Sequence, residues 1–258
     1  MPVLSAPSPS SPPSRRVALA RRLLERNDLQ AVLNRTLLRQ AGVLALNLLS
    51  SPGSGKTSLL EALARWTPTT MRQAVIVGDL ATDHDARRLQ AAGLPAIQIS
   101  TGQGCHLEAS QVASAIERLV AAGPSLSALD LLWIENVGNL VCPAAYDLGE
   151  SGRVVLLAAG EGEDKPLKYP ALFHTADLVL ISKIDLATAV DFDRDAAHRA
   201  ISRVAPRARV LEISARSGRG LPELLDLLNR WSATAHAAPQ GQGLPSGGGA
   251  APGPSPCR

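Results

Sequence analysis

A mostly parallel α/β sheet, covered by helices on both faces, is the fold the sequence predicts. Three observations carry it. Short, continuous apolar runs alternate with helical patterns between residues 43 and 232, the first run leads straight into a glycine-rich loop, and the remaining polar motifs fall where later runs end. Strands that are apolar throughout are those buried on both sides, which is the signature of a parallel sheet between helices. Ligands of such sheets gather at the carboxyl ends of the strands.

The strands are expected at 43–49, 74–77, 96–99, 129–134, 154–158, 178–182 and 210–213, and the helices at 57–65, 83–92, 107–122, 193–204 and 221–231. Ahead of them, 15–41 reads as an N-terminal helix. Leu23, Leu24, Leu33, Leu37 and Leu38 recur at three- and four-residue intervals, and Gly42 closes it. Residues 1–14 are mostly Pro and Ser, and 235–258 are rich in Gly, Pro and Ala. Neither segment holds enough apolar surface to offset chain entropy, so both are expected to be disordered tails around a nucleotide-binding domain at 42–234. No internal repeat is present.

The bulk numbers exclude several classes. A formal charge of +3 with arginines gathered near the N-terminus makes no case for nucleic acid as a partner. Three cysteines without a CxxC pair exclude a disulfide framework and leave metal ligands or buried thiols. No apolar run approaches the roughly 18–20 residues of a membrane span. After Arg15-Arg16 the apolar stretch is cut off by Arg21-Arg22, too short for an export signal, so a cytoplasmic protein is expected.

Ser50-Ser51-Pro52-Gly53-Ser54-Gly55-Lys56-Thr57 links the first strand to the first helix and matches a Walker A loop, with Ser50 in place of its first glycine. In such a loop successive backbone N–H groups curl around phosphate oxygens at a helix N-terminus. Gly53, Ser54, Gly55, Lys56, Thr57 and Ser58 are the expected cradle. Lys56 reaches the outer phosphates and the Thr57 hydroxyl meets Mg²⁺.

The base is named elsewhere. Ser182-Lys183-Ile184-Asp185 follows the sixth strand in the position of an N/T-KxD motif. The Asp185 carboxylate suits the guanine N1–H and exocyclic amine, and Lys183 covers the ring. Ser182 gives up the amide of the usual Asn. Ser214-Ala215-Arg216 resembles the SAK loop that accompanies it. Asp79, after the second strand, and Glu135, ending the fourth, are expected to help hold Mg²⁺. Glu135-Asn136-Val137-Gly138 stands where a DxxG motif would place a Gly138 N–H on the γ-phosphate. Lys56, Asp79, Glu135 and Gly138 are thus the candidate catalytic set.

Cys105-His106 follows Thr101-Gly102-Gln103-Gly104, and Cys142 lies four residues past Gly138. Thiolate and imidazole together suit Zn²⁺ or Ni²⁺, and three ligands would leave an exchangeable or dimer-shared site. Spacing alone leaves open two buried thiols and a histidine at a helix start. Cys257 has no partner in sequence.

Taken together, 50–57, 78–82, 104–107, 135–150, 161–170 and 176–186 closely resemble the hydrogenase nickel-incorporation GTPase family (HypB), a resemblance that spans 42–232. It implies a SIMIBI-type P-loop GTPase with slow GTP hydrolysis to GDP and GTP-dependent homodimerisation. It also implies a Ni²⁺ or Zn²⁺ site of Cys105, His106 and Cys142. The partners implied are a nickel-delivery accessory protein and the large subunit of a nickel–iron hydrogenase. It further puts Lys165-Pro166-Leu167-Lys168-Tyr169-Pro170 at the dimer contact, where Lys168 could reach the partner's nucleotide. Many members carry an N-terminal cysteine motif or histidine-rich tract. Residues 1–40 hold neither Cys nor His, so nickel storage is not expected of them. A urease accessory GTPase is the runner-up, but the Cys-Pro-His motif of that family is lacking. A nucleotide-gated binding module and a small-molecule P-loop kinase are the other readings, the kinase disfavoured by Lys183 and Asp185.

Overall fold

The computed structural model describes residues 15–66, 71–79, 83–102 and 104–237. The expected tail at 1–14, residues 238–258 of the tail expected at 235–258, residues 67–70 and 80–82, and Gln103 lie outside the described residues.

Seven strands form one all-parallel sheet among the described residues: β1 (Leu44–Ser50), β2 (Gln73–Asp79), β3 (Ala96–Ser100), β4 (Leu131–Glu135), β5 (Gly152–Ala158), β6 (Leu178–Ser182) and β7 (Arg209–Glu212). Their order is β3-β2-β4-β1-β5-β6-β7, so the first strand sits at the centre and the chain winds outward on both sides. β1 shows why the sequence makes such a sheet, since all seven of its residues are buried. Leu44, Leu46 and Leu48 enter a core with α2 (Lys56–Trp66), α3 (His84–Ala91) and α8 (Leu221–Ala237). Ala45 and Leu49 face the opposite layer. There α1 (Arg15–Gln40) and α4 (Ala109–Ala122) cover one half through Leu38 and Ile116. On the other half, α6 (Pro170–His174) and α7 (Arg194–Val204) pack Phe173 and Ile201. Successive side chains enter opposite layers, following the strand's period of two.

Several expectations need correction. α4 starts at Ala109 rather than 107, because Glu108 and Gln111 form a capping box that fixes its first turn. The fourth strand starts at Leu131 rather than 129, because Leu129 caps the 3-10 turn Leu126–Ala128, its N–H donating to Leu126 O. Residues 165–174, where no helix was expected, form α5 (Lys165–Lys168) and α6 one after the other, each with Pro near its start. The last helix runs to Ala237, three residues into the expected tail.

The largest correction concerns α1. Its limits were foreseen, but its buried face was not. Leu23, Leu33 and Leu37 are exposed, while Asn27, Ala31, Asn34 and Leu38 form the inward stripe. Asn34 donates to the carbonyls of Ala109 (2.8 Å) and Leu148 (3.0 Å). Asn27 donates to Asp147 O (2.8 Å) and accepts from Ala109 N (2.9 Å). Hydrogen bonds to otherwise orphaned backbone, together with burial of Ala31 and Leu38, decide which face docks. No described helix is long and apolar enough to cross a membrane.

Candidate functional site

The carboxyl ends of β1, β2, β4, β6 and β7 surround a cavity of about 620 Å³. The loop between β1 and α2 forms its floor, with Gly53 (φ 75°) and Gly55 (φ 97°) in the left-handed region that lets backbone amides turn inward. Lys56 Nζ donates to Ser50 Oγ (3.1 Å), so the serine in the first Walker position holds the lysine over the loop. Burial pushes Lys56 below its ordinary range, against the pull of Glu135, Asp85, Glu161 and Asp79. Glu161, beyond β5, fastens the loop from outside by accepting from the hydroxyls of Ser51 and Ser54.

Glu135 ends β4 and is buried beside Thr57, whose hydroxyl donates to its Oε1 at 2.8 Å. Desolvation raises this carboxyl to about 7, opposed by Lys56 and the Thr57 hydroxyl. Its Oε2 is buried without a hydrogen-bond partner among the described residues. An orphaned carboxylate oxygen beside a threonine hydroxyl, with Asp79 lining the same cavity, is an oxygen set suited to Mg²⁺. Gly138 lies against the loop: a Cβ there would come within 2.9 Å of the Pro52 backbone, so a side chain would pry the two loops apart.

The base-side loops are tied to this floor. Ser182 Oγ donates to Ser54 O (2.8 Å), which is where the hydroxyl goes in place of an Asn amide. Lys183 takes a left-handed backbone (φ 55°) and its Nζ donates to Gly53 O (2.7 Å). A non-glycine residue in that region is held there by its surroundings. Asp185 and Ala215 line the cavity at its rim. Ser214 is fully buried behind it, accepting from Ser217 N (3.1 Å), and so supports the loop from beneath. Lys168 does not line the cavity; it is exposed and pairs with Asp164 (2.6 Å). Asp85 and Arg88 of α3, which no sequence motif marks, line the cavity too, as does Asn136, which lies within the 135–138 motif but is given no role by it. Arg88 is held by Glu61 (2.8 Å) and Asp85 (3.2 Å).

Beside the cavity, the loops after β3 and β4 bring Cys105, His106 and Cys142 together, with all ligand atoms within 4.8 Å of one another. Cys105 Sγ is 3.5 Å from His106 Nδ1. Its hydrogen bond with Cys142, and then burial, push the Cys105 thiol up. Burial pushes His106 down toward the neutral imidazole that a metal requires. The Tyr146 ring stacks on His106 at 3.7 Å between centroids, and His106 Nε2 is buried without a partner among the described residues. Asn139 bridges the loops, donating to Cys105 O (3.2 Å) and accepting from Val141 N (2.8 Å). Two soft sulfurs and an imidazole whose Nε2 is unpaired among the described residues fit Ni²⁺ or Zn²⁺.

Comparison with known proteins agrees with this geometry. Residues 44–212 match the family model for the CobW/HypB/UreG nucleotide-binding domain. The hydrogenase maturation factor HypB of Azotobacter chroococcum mcd 1 is 49% identical over 229 residues, covering 87% of this chain and 72% of that protein. Among solved structures, HypB from Helicobacter pylori in complex with nickel is similar at TM-score 0.78 and 39% identity. That match covers 82% of this chain and 97% of the other. The hydrogenase maturation factor HypB from Archaeoglobus fulgidus superposes at TM-score 0.74 with 36% identity, covering 81% and 100%. The architecture is that of a SIMIBI-type P-loop GTPase.

Proposed function

The chain belongs to the HypB family of hydrogenase maturation factors, and from that membership we propose a cytoplasmic GTP-hydrolysing metallochaperone that carries nickel toward a nickel–iron hydrogenase. The observation that supports this best is the adjacency of two sites. Cys142 follows Gly138 on the loop after β4, and Cys105 and His106 come from the loop after β3. Nickel is the cargo at Cys105, His106 and Cys142, and zinc meets the same donors.

In the nucleotide cavity, the amides of 53–58 and Lys56 hold the phosphates while Asp185 accepts from guanine and Lys183 covers it. Ser214 and Ala215 shape the loop beside the base. Mg²⁺, held by Thr57, Asp79 and Glu135, supplies charge neutralisation on the phosphates. Lys56 balances the charge spreading over the transferred phosphoryl group. The Gly138 N–H binds the γ-phosphate and loses that partner after hydrolysis.

Three ligands leave the cargo incompletely coordinated, which suits release to a partner or sharing across a GTP-dependent homodimer. In this reading Lys168 belongs to that dimer contact, where it exchanges Asp164 for the neighbouring nucleotide. The hydrogenase large subunit and a second nickel-delivery protein are the proposed partners.

The test is to measure GTP and ATP turnover, and to run size exclusion with GDP and with a GTP analogue, each with and without Ni²⁺. GTP-selective hydrolysis, an analogue-dependent dimer and stoichiometric nickel are expected. Equal use of ATP, or no nickel bound in any state, would sink this reading.

A further inference from the structure

Asn136 stands between the two sites. It lines the nucleotide cavity, and its buried amide oxygen accepts from two backbone amides: Val137 N (2.9 Å), leading to Gly138, and Leu107 N (3.2 Å), next to His106. Its amide nitrogen donates to Asn47 Oδ1 (3.3 Å). Asn47, fully buried in the middle of β1, donates in turn to Glu150 Oε1 (3.3 Å), which also accepts from Arg153 Nε (2.7 Å). The Arg153 guanidinium then donates to the carbonyls of Ala144 (3.1 Å) and Tyr146 (2.8 Å). Those carbonyls lie just past Cys142, and Tyr146 is the ring stacked on His106.

Asn136 is therefore the fork of a continuous polar path. One bond reaches the Cys105–His106 half of the cluster, and a relay of three side chains reaches the Cys142 half. Core packing does not call for such a path, since an apolar residue at 47 would fill the layer without desolvating amides and an ion pair. Hydrogen bonds weaken steeply when stretched or bent. A shift of the 135–138 loop must therefore move the groups bonded to Asn136 or break those bonds.

We propose that Asn136, Asn47, Glu150 and Arg153 are positioning residues that convert the state of the Gly138 loop into the spacing of Cys105, His106 and Cys142. The inference rests on the proposed reading of that cluster as the cargo-nickel site of a GTPase, and adds to it that nucleotide state gates the cluster. Because linkage is reciprocal, the path also lets bound metal alter nucleotide affinity by the same factor.

The test titrates Ni²⁺ into the full chain with GDP and with a non-hydrolysable GTP analogue, following the thiolate-to-metal charge-transfer band. The expected wild-type ratio of the two dissociation constants is roughly 5–150-fold. In Asn136→Ala it falls close to one while the charge-transfer band persists, because the ligands remain and only their response to nucleotide is lost. Asn47→Ala cuts the Cys142 branch alone and leaves an intermediate ratio. Arg153→Lys keeps the charge facing Glu150 but cannot span both carbonyls, and also gives an intermediate ratio. If Asn136→Ala fails to fold, the other two variants decide. Folded variants that keep the wild-type ratio overturn the relay alone. A wild-type ratio of one overturns the gating itself, and the relay with it.

Discussion

The phosphate loop and the thiol–imidazole cluster share one edge of the sheet, yet they are built differently. The phosphate loop is local: one strand, eight consecutive residues and the start of one helix supply the glycines, Lys56 and Thr57. The cluster is assembled. Cys105 and Cys142 come from separate loops, bridged by Asn139 and strapped by α1, whose Asn27, Asn34 and Arg35 bond 109 and 147–150. The local site carries its chemistry on its own residues and is only fastened from outside by Glu161, Ser182 and Lys183, whereas an assembled one inherits the stability of everything that positions it. The cluster is thus expected to be the more easily adjusted of the two, which suits the proposed role of handing a metal on.

The largest effect expected is at the local site. Lys56→Ala removes the cation over the phosphates and should lower GTP turnover by roughly 10²-fold or more. Nickel affinity of the nucleotide-free variant should stay unchanged. Steady-state turnover beside a nickel titration checks both, and a joint loss would erase the distinction between the sites. Next, Cys142→Ala should weaken nickel binding by at least about 100-fold, beyond the loss of roughly 10–100-fold typical of an outer partner. Metal-free GTP turnover should hold. An unchanged affinity would remove Cys142 from the cluster.

Glu135 offers a sharper probe of the cavity. Its folded pKa, about 7, lies above its unfolded value, so the stability tied to its protonated form is present at low pH and lost as pH rises through 7. Wild-type protein without Mg²⁺ should lose up to about 3 kcal/mol through this group between pH 5 and 8. Glu135→Gln should lack that step, and Mg²⁺ should suppress it in the wild type. Urea midpoints at the two pH values settle this, and matching pH profiles for variant and wild type would refute it. The smallest effect tests the strap. Asn34→Ala leaves the carbonyls of Ala109 and Leu148 without that donor, at a cost of about 1–3 kcal/mol. Nickel affinity should fall more than GTP affinity. A larger loss for GTP would show α1 serving the phosphate site instead.

How much could be read beforehand follows the same division. Seven strands, the longer helices between them and the loop at 50–57 were legible because each depends on residues adjacent in the chain, whereas the short α5 and α6 were not. Asn47 was legible in principle, as one amide in the apolar run Leu44–Ser50, but its partners lie about a hundred residues away. The face of α1 was misjudged because counting leucines assumes apolar burial. The docking of that helix answers unsatisfied carbonyls that no local pattern displays.

By itself, then, the sequence determined the parallel sheet, the phosphate loop and the identity of the candidate ligands, since backbone periodicity and glycine-dependent turns are short-range properties. Only the tertiary structure decided that Cys105, His106 and Cys142 meet and that Glu135 is desolvated. It alone joined Asn136 to Arg153 through the middle of the sheet. Distance between side chains, exclusion of water and closure of a hydrogen-bond path all depend on chain segments remote in sequence arriving at one place.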